Sequence, residues 1–244
     1  MTVHFLGTGS ALTSAERTTT MLAFASGTSF FLVDCGGDAV PRLQLAGLDA
    51  AATDAVVLTH EHPDHVGGFP LLIEKLWLLG RRTPIPVYGL APTLAVARRL
   101  FEVFDTSGWK DLPPVEYHTV EATDGAAVFE RSPCRVTAWP VDHPVLTVGL
   151  RVEAGGRTAA YSCDTAPCAG VVALARGADL LVHEATGHLP GVHSSASEAA
   201  TCAAEAGVAR LVLVHLPPVL PDLAEAHALF AATAFAEEGG CVNV

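Results

Sequence analysis

Positive charge is scarce in this chain. Of 244 residues, 14 are Lys or Arg and 26 are Asp or Glu, for a formal net charge of -12. Proteins that grip a nucleic-acid backbone usually present a basic stripe to neutralise phosphates. A long nucleic acid is therefore not expected as the main partner. Long apolar runs are also lacking. Half of the residues are apolar and mean hydropathy is +0.38. Even so, Gly, Pro or charge interrupts every run before the roughly 18 residues that suggest a membrane span. The opening "MTVHFLGTGS" has no basic segment followed by a long apolar core, so no secretory leader is expected and the expected location is cytoplasmic. The six cysteines, Cys35, Cys134, Cys163, Cys168, Cys202 and Cys241, contain no CxxC pair. This argues against a zinc ribbon or redox dithiol and for reduced, mostly buried thiols. With no composition break, long linker or low-complexity tract, a single domain over residues 1–244 is expected.

What is present is a series of short apolar runs, each ending in a polar residue able to bind metal. "SFFLVD" ends at Asp34, "AVVLTH" at His60, "TAAYSCD" at Asp164, "ADLLVH" at His183 and "ARLVLVH" at His215. Such runs read as buried strands. Helical spacing predicts helices over 38–46, 68–79, 93–104, 168–176, 194–206 and 220–237. Alternating strands and helices imply sheets covered by helices. Meander-like strands surround them, with hairpin turns near Ser26–Gly27 and Gly155–Gly156. Strand ends of one sheet lie along one edge, so the polar termini are expected to converge.

The densest cluster is "HEHPDH", in which His60, His62, Asp64 and His65 follow an apolar strand. Pro63 forces the preceding residue out of helical geometry, making a tight turn whose side chains reach neighbouring positions. Imidazoles with a carboxylate suit zinc or another borderline divalent ion. One ion cannot easily use all four groups and keep an open coordination position. Two ions can, with further ligands from later strand ends.

The order H-x-H-x-D-H, preceded by Asp34 and followed by His143, Asp164 and His215, resembles the metallo-β-lactamase superfamily over essentially the whole chain. The resemblance implies an α/β fold, a four-layer αββα sandwich with a dinuclear site at one edge of its two sheets. Carried over by motif, one metal takes His60, His62 and His143, and the other takes Asp64, His65 and His215. Asp164 bridges the two, and Asp34 orients the ligand turn. The family pattern usually has Gly where Cys163 stands, a change expected to alter packing only. The implied cofactors are two divalent ions, zinc first, with manganese or iron as alternatives.

"FLGTGSA", "LVHEATG" and "GVHSSASEAA" are similar to loops of ribonuclease Z and its smaller phosphodiesterase relatives. In that branch such loops assist phosphodiester cleavage. The resemblance implies catalytic roles for Asp64 as proton acceptor and for His193, helped by Glu184, at the leaving oxygen. Ribonuclease Z carries a tRNA-gripping arm, usually between the third-ligand histidine and the bridging aspartate. Here only twenty residues separate His143 from Asp164, and they read as one hairpin. The expected activity is therefore metal-dependent hydrolysis of a small or nucleotide-type phosphodiester. Lactone or ester hydrolysis, tRNA 3′ processing and a non-catalytic metal sensor are the alternatives. "EVFDTSGWKDLPPVEYH" is the one irregular stretch that could shape a pocket wall. Relatives in this branch are often dimers, and "FPLLIEKLWLLG" could supply either a homodimer interface or an ordinary core helix.

Overall fold

Successive side chains of a strand face opposite sides of its sheet, so one chain can fill three separate cores. The computed structural model describes residues 1–131 and 134–244. The first sheet is built from β1 (Thr2–Gly7), β2 (Met21–Ser26), β3 (Ser29–Val33), β4 (Ala55–Leu58), β5 (Ile85–Gly89) and β6 (Val115–Thr119), in that spatial order. The second runs, in chain order, through β7 (Ala126–Arg131), β8 (Cys134–Val141), β9 (Thr147–Ala154), β10 (Arg157–Tyr161), β11 (Leu180–Glu184), β12 (Leu211–Val214) and β13 (Thr233–Phe235). The C-terminal β14 (Cys241–Asn243) returns to the first sheet and pairs antiparallel with β1.

Residues such as Phe5, Phe24 and Phe31 of the first sheet meet Val136, Leu150 and Tyr161 of the second in the central core. On the outer face of the first sheet, Leu32, Val56 and Leu58 pack against α1 (Ala39–Leu45), α3 (Phe69–Leu78) and α4 (Ala91–Glu102). On the outer face of the second, Ala160, Leu181 and Leu213 pack against α5 (Ala169–Ala175) and α6 (Ala196–Ala206). This is the expected αββα sandwich. The "FPLLIEKLWLLG" segment serves mainly as a core helix: Phe69, Leu72, Ile73 and Leu76 are buried, leaving Leu71, Leu78 and Leu79 exposed. Among the described residues, no helix is long and apolar enough to cross a membrane.

Two expectations need correction. The helix expected over 220–237 is only the short α7 (Ala224–Leu229), followed by β13. Thr233–Phe235 instead pairs with the edge of β12, which supplies backbone partners that a continued helix would leave unused. The irregular stretch from Glu102 to His118 does not wall the site. β6 runs parallel to β5, so the loop entering it lies at the sheet's opposite end, where Trp109 stacks on Trp77.

The topology positions the site directly. β3 and β4 are parallel, as are β10, β11 and β12. Their C-terminal ends consequently share one edge, presenting Asp34, His60, Asp164, Glu184 and His215. The β9–β10 hairpin turns at Gly155 and Gly156, whose φ values of 60° and 75° suit a two-residue turn of the primed type. No arm interrupts the chain between His143 and Asp164.

Candidate metal centre

The ligand turn is short because Pro63 opens a four-residue helix, α2 (Pro63–Val66), with His62 extended at its N-cap. Proline at the first helical position loses no hydrogen bond. The turn rests on the loop after β3: Cys35 N donates to His65 O at 2.8 Å, and Gly68 N donates to Cys35 O at 2.8 Å. A Cβ at Gly36 would stand 1.7 Å from Asp64 O, so only glycine permits this approach.

Side chains from four loops then meet. His60 Nε2 lies 3.0 Å from His62 Nδ1, which lies 3.2 Å from His143 Nε2. Asp64 Oδ2 lies 3.2 Å from His215 Nε2 and 3.5 Å from His65 Nε2. Asp164 Oδ2 sits between the groups, 3.4 Å from His65, 3.4 Å from His215 and 3.9 Å from His60. Two donor sets result, His60–His62–His143–Asp164 and Asp64–His65–His215–Asp164, each with its atoms within 4.8 Å of one another. They share Asp164.

Most ring nitrogens facing away from this centre are engaged. His65 Nδ1 meets Asp34 Oδ2 at 2.8 Å, His143 Nδ1 meets Val192 O at 2.9 Å, and His215 Nδ1 meets Thr186 Oγ1 at 2.7 Å. His60 Nδ1 lies 3.2 Å from Thr59 Oγ1, whose hydroxyl donates to Asp34 Oδ2 at 2.8 Å. A proton on the outward nitrogen leaves the inward one as a free lone pair, the state a metal requires. Inside, His65 Nε2 and Asp164 Oδ1 are buried without a hydrogen-bond partner. Orphaned polar atoms are costly, and a cation at the convergence point would satisfy them. The donor set of five imidazoles and two carboxylates fits divalent metal ions.

Electrostatics point the same way. Burial opposes charge on Asp64 and Asp164, yet the surrounding imidazoles hold both carboxyls below the usual carboxylate range. Burial likewise opposes a charge on His65, but the flanking Asp164 and Asp34 carboxylates raise its pKa well above the ordinary value. For His60, burial dominates and the pKa falls. The centre therefore gathers largely buried carboxylates among imidazoles, an arrangement suited to positive charge.

Beside it stands a second device. Glu184 is fully buried and its Oε1 accepts from Ser194 N at 3.0 Å and from His193 Nδ1 at 2.8 Å. Thr186 N donates to its other oxygen at 2.9 Å. Burial works against charge on His193, but the bond to Glu184 outweighs it and raises the pKa. Glu184 thus fixes a half-buried imidazole whose ring lies 5.4 Å from that of His143 and 5.5 Å from that of His215. His183 takes no part. Alternate strand residues face opposite sides, and its Nδ1 instead meets Glu184 O at 2.7 Å.

Two residues escaped the sequence reading, Thr59 and Val192, and the expectation for Cys163 needs correction. Thr59 links His60 to Asp34, and Val192 offers only a backbone carbonyl. Cys163 has φ 55°, in the left-handed region. That is the physical reason for the family's glycine, and the substitution therefore changes backbone strain as well as packing. Its Sγ lies 2.9 Å from Thr59 Oγ1.

Comparison with known proteins agrees with this geometry. Residues 30–216 match the family described as the beta-lactamase superfamily domain. "Ribonuclease Z" of Mycobacterium bovis is 33% identical over 261 aligned residues, covering 96% of this chain and 92% of that protein. Among solved structures, the metallo-beta-lactamase fold protein YhfI of Bacillus subtilis is 25% identical with a TM-score of 0.81, covering 99% of this chain and 98% of the other. The short form of human tRNase Z is 25% identical with a TM-score of 0.82, covering 100% and 99%. The chain belongs to the metallo-β-lactamase superfamily of hydrolases, in its ribonuclease Z-like branch.

Proposed function

We propose that this chain hydrolyses small or nucleotide-type phosphodiesters with two divalent ions, zinc first. The observation that carries the reading is the pair of donor sets sharing Asp164, with the His193–Glu184 pair beside them. His60, His62 and His143 would hold one ion, Asp64, His65 and His215 the other, with Asp164 between them. Bound there, the ions would supply a water of lowered pKa and polarisation of the phosphoryl oxygens.

The chain's own groups do the rest. Asp64 accepts the proton of the attacking water and keeps that water in line with the scissile bond. His193, held through Nδ1 by Glu184, turns Nε2 towards the leaving oxygen and donates its proton there. Glu184 touches no substrate and acts as a positioning residue. Thr59 and Asp34 hold His60 and His65 in the productive tautomers.

A second reading, tRNA 3′ processing, is favoured by the ribonuclease Z relatives. The plain β9–β10 hairpin and the shortage of Lys and Arg weigh against it. The test is the rate of bis(p-nitrophenyl) phosphate hydrolysis by wild type and Asp64→Asn at matched metal content, with a precursor tRNA assayed in parallel. Turnover that Asp64→Asn abolishes supports the proposal. A metal-loaded wild type inactive on every phosphodiester would sink it and move attention to lactones and esters.

A further inference from the structure

The loops around the centre carry an unusual surface. Leu12, Leu146, Leu189, Val219 and Leu220 are exposed by 72%, 62%, 51%, 83% and 41%. Each lies on a loop that borders the metal-centre edge. Leu146 is three residues past His143, while Val219 and Leu220 follow His215 by four and five. The loop bearing Leu12 is held against this edge, because His215 N donates to Thr20 Oγ1 at 3.1 Å and Leu216 N donates to Thr8 O at 2.8 Å. Leu189 is bridged to His193 in antiparallel register, with Leu189 N donating to His193 O at 3.2 Å and His193 N to Leu189 O at 2.9 Å. Bridged partners place their side chains on one face of the pair, so Leu189 flanks the imidazole that serves the leaving group.

Charge on these loops points in one direction. Across residues 8–20, 34–38, 59–68, 142–146, 163–168, 185–195 and 215–222, the only Lys or Arg is Arg17. Its Nη2 donates to the carbonyls of Pro217 at 3.1 Å and Pro218 at 2.9 Å. Beyond the centre's own groups, a substrate bearing several phosphates would find this single cation, turned towards neutral carbonyls, while Glu16, Asp142 and Asp222 would repel it. Exposed apolar side chains gathered at a site mark a surface that gains by being covered.

We infer that Leu12, Leu146, Leu189, Val219 and Leu220 form an apolar rim that binds an alkyl or aryl substituent of a singly charged phosphodiester, with Leu189 beside the leaving group. This substrate class rests on the phosphodiesterase reading above. It differs from a polyanionic substrate in needing one phosphate charge at the metals and no charge beyond them.

The test is a series of methyl, butyl and octyl p-nitrophenyl phosphates, assayed with metal-loaded wild type, Leu146→Ser/Leu189→Ser and Leu12→Ser/Val219→Ser. The substituted side chains are exposed, and thermal melts check that both variants fold. kcat/KM is expected to rise about tenfold or more from methyl to butyl in the wild type, and both variants are expected to flatten that slope. A flat wild-type series with brisk bis(p-nitrophenyl) phosphate turnover overturns the rim and leaves the activity standing. If no ester is turned over, calorimetric titration with methylphosphonate and octylphosphonate still decides: octyl-selective binding lost in both variants supports the rim, and equal affinities overturn it. A wild-type dimer that either variant dissociates would assign the surface to a second copy and also overturn the inference.

Discussion

His193 Nδ1 lies 2.8 Å from Oε1 of Glu184, a carboxylate with no solvent exposure that also collects backbone N–H groups from three surrounding residues. Replacing Glu184 with Gln keeps the shape and removes the charge that holds the imidazole. The expected result is a fall in kcat of about a hundredfold or more at unchanged metal content. His193→Ala should cost about the same, and the double variant little more than either, since the two act as a unit. Additive losses would separate their roles.

Asp164 is common to both donor sets. Asp164→Asn is expected to lower bound metal from about two ions per chain to one or fewer. Elemental analysis after dialysis reads this directly. Chelation of the wild type should lower the melting temperature, because an ion that binds only the folded state stabilises it by mass action. Unchanged melting on chelation would mean the folded edge gains nothing from metal.

Thr59 touches neither substrate nor metal in this arrangement. Thr59→Val is nonetheless expected to weaken metal affinity by about 10- to 100-fold, because it removes the hydroxyl between Asp34 and His60. Competition against a chromogenic chelator measures the change, and Thr59→Ser should restore most of it.

The loop bearing His193 runs into α6, whose N-terminus is a full capping box: Glu198 N donates to Ser195 Oγ at 3.2 Å, and Ser195 N donates to Glu198 Oε2 at 2.8 Å. Ser195→Ala should cost about 1 kcal/mol in urea denaturation. Burial opposes charge on Glu198, but its hydrogen bonds from Ser195 and the partnership with His188 leave the pKa lowered. A carboxylate held low in the folded state stabilises above its unfolded pKa, about 4.3. That contribution is lost as pH falls through the folded value. The stability gap between wild type and Glu198→Gln should therefore be constant near neutrality and shrink below about pH 4.

Much of the architecture and the densest part of the centre were legible because their signals are local. Apolar runs with polar ends reported the parallel strands, and "HEHPDH" compressed four site residues into six positions. His143 and His215 are isolated in sequence, and only their order relative to the family pattern singled them out. Thr59 and the Val192 carbonyl left no trace, since a hydroxyl or a backbone oxygen acquires its role only when distant strands meet. The segment over 220–237 misled because its Ala-rich composition favours a helix, while an open sheet edge offered Thr233–Phe235 better backbone partners. The 102–118 stretch misled because composition does not reveal at which end of a sheet a loop will lie.

The hairpin turn at Gly155–Gly156 sets a rule for engineering. β9 extends eight residues from Thr147, beside the centre, to Ala154, about 26 Å at the usual strand rise. A fluorescent tag or affinity peptide spliced into that turn would hang from the base of the molecule and leave turnover intact. A module meant to deliver substrate could not be grafted there. It would have to enter through the stretch between His143 and Thr147, on the rim itself.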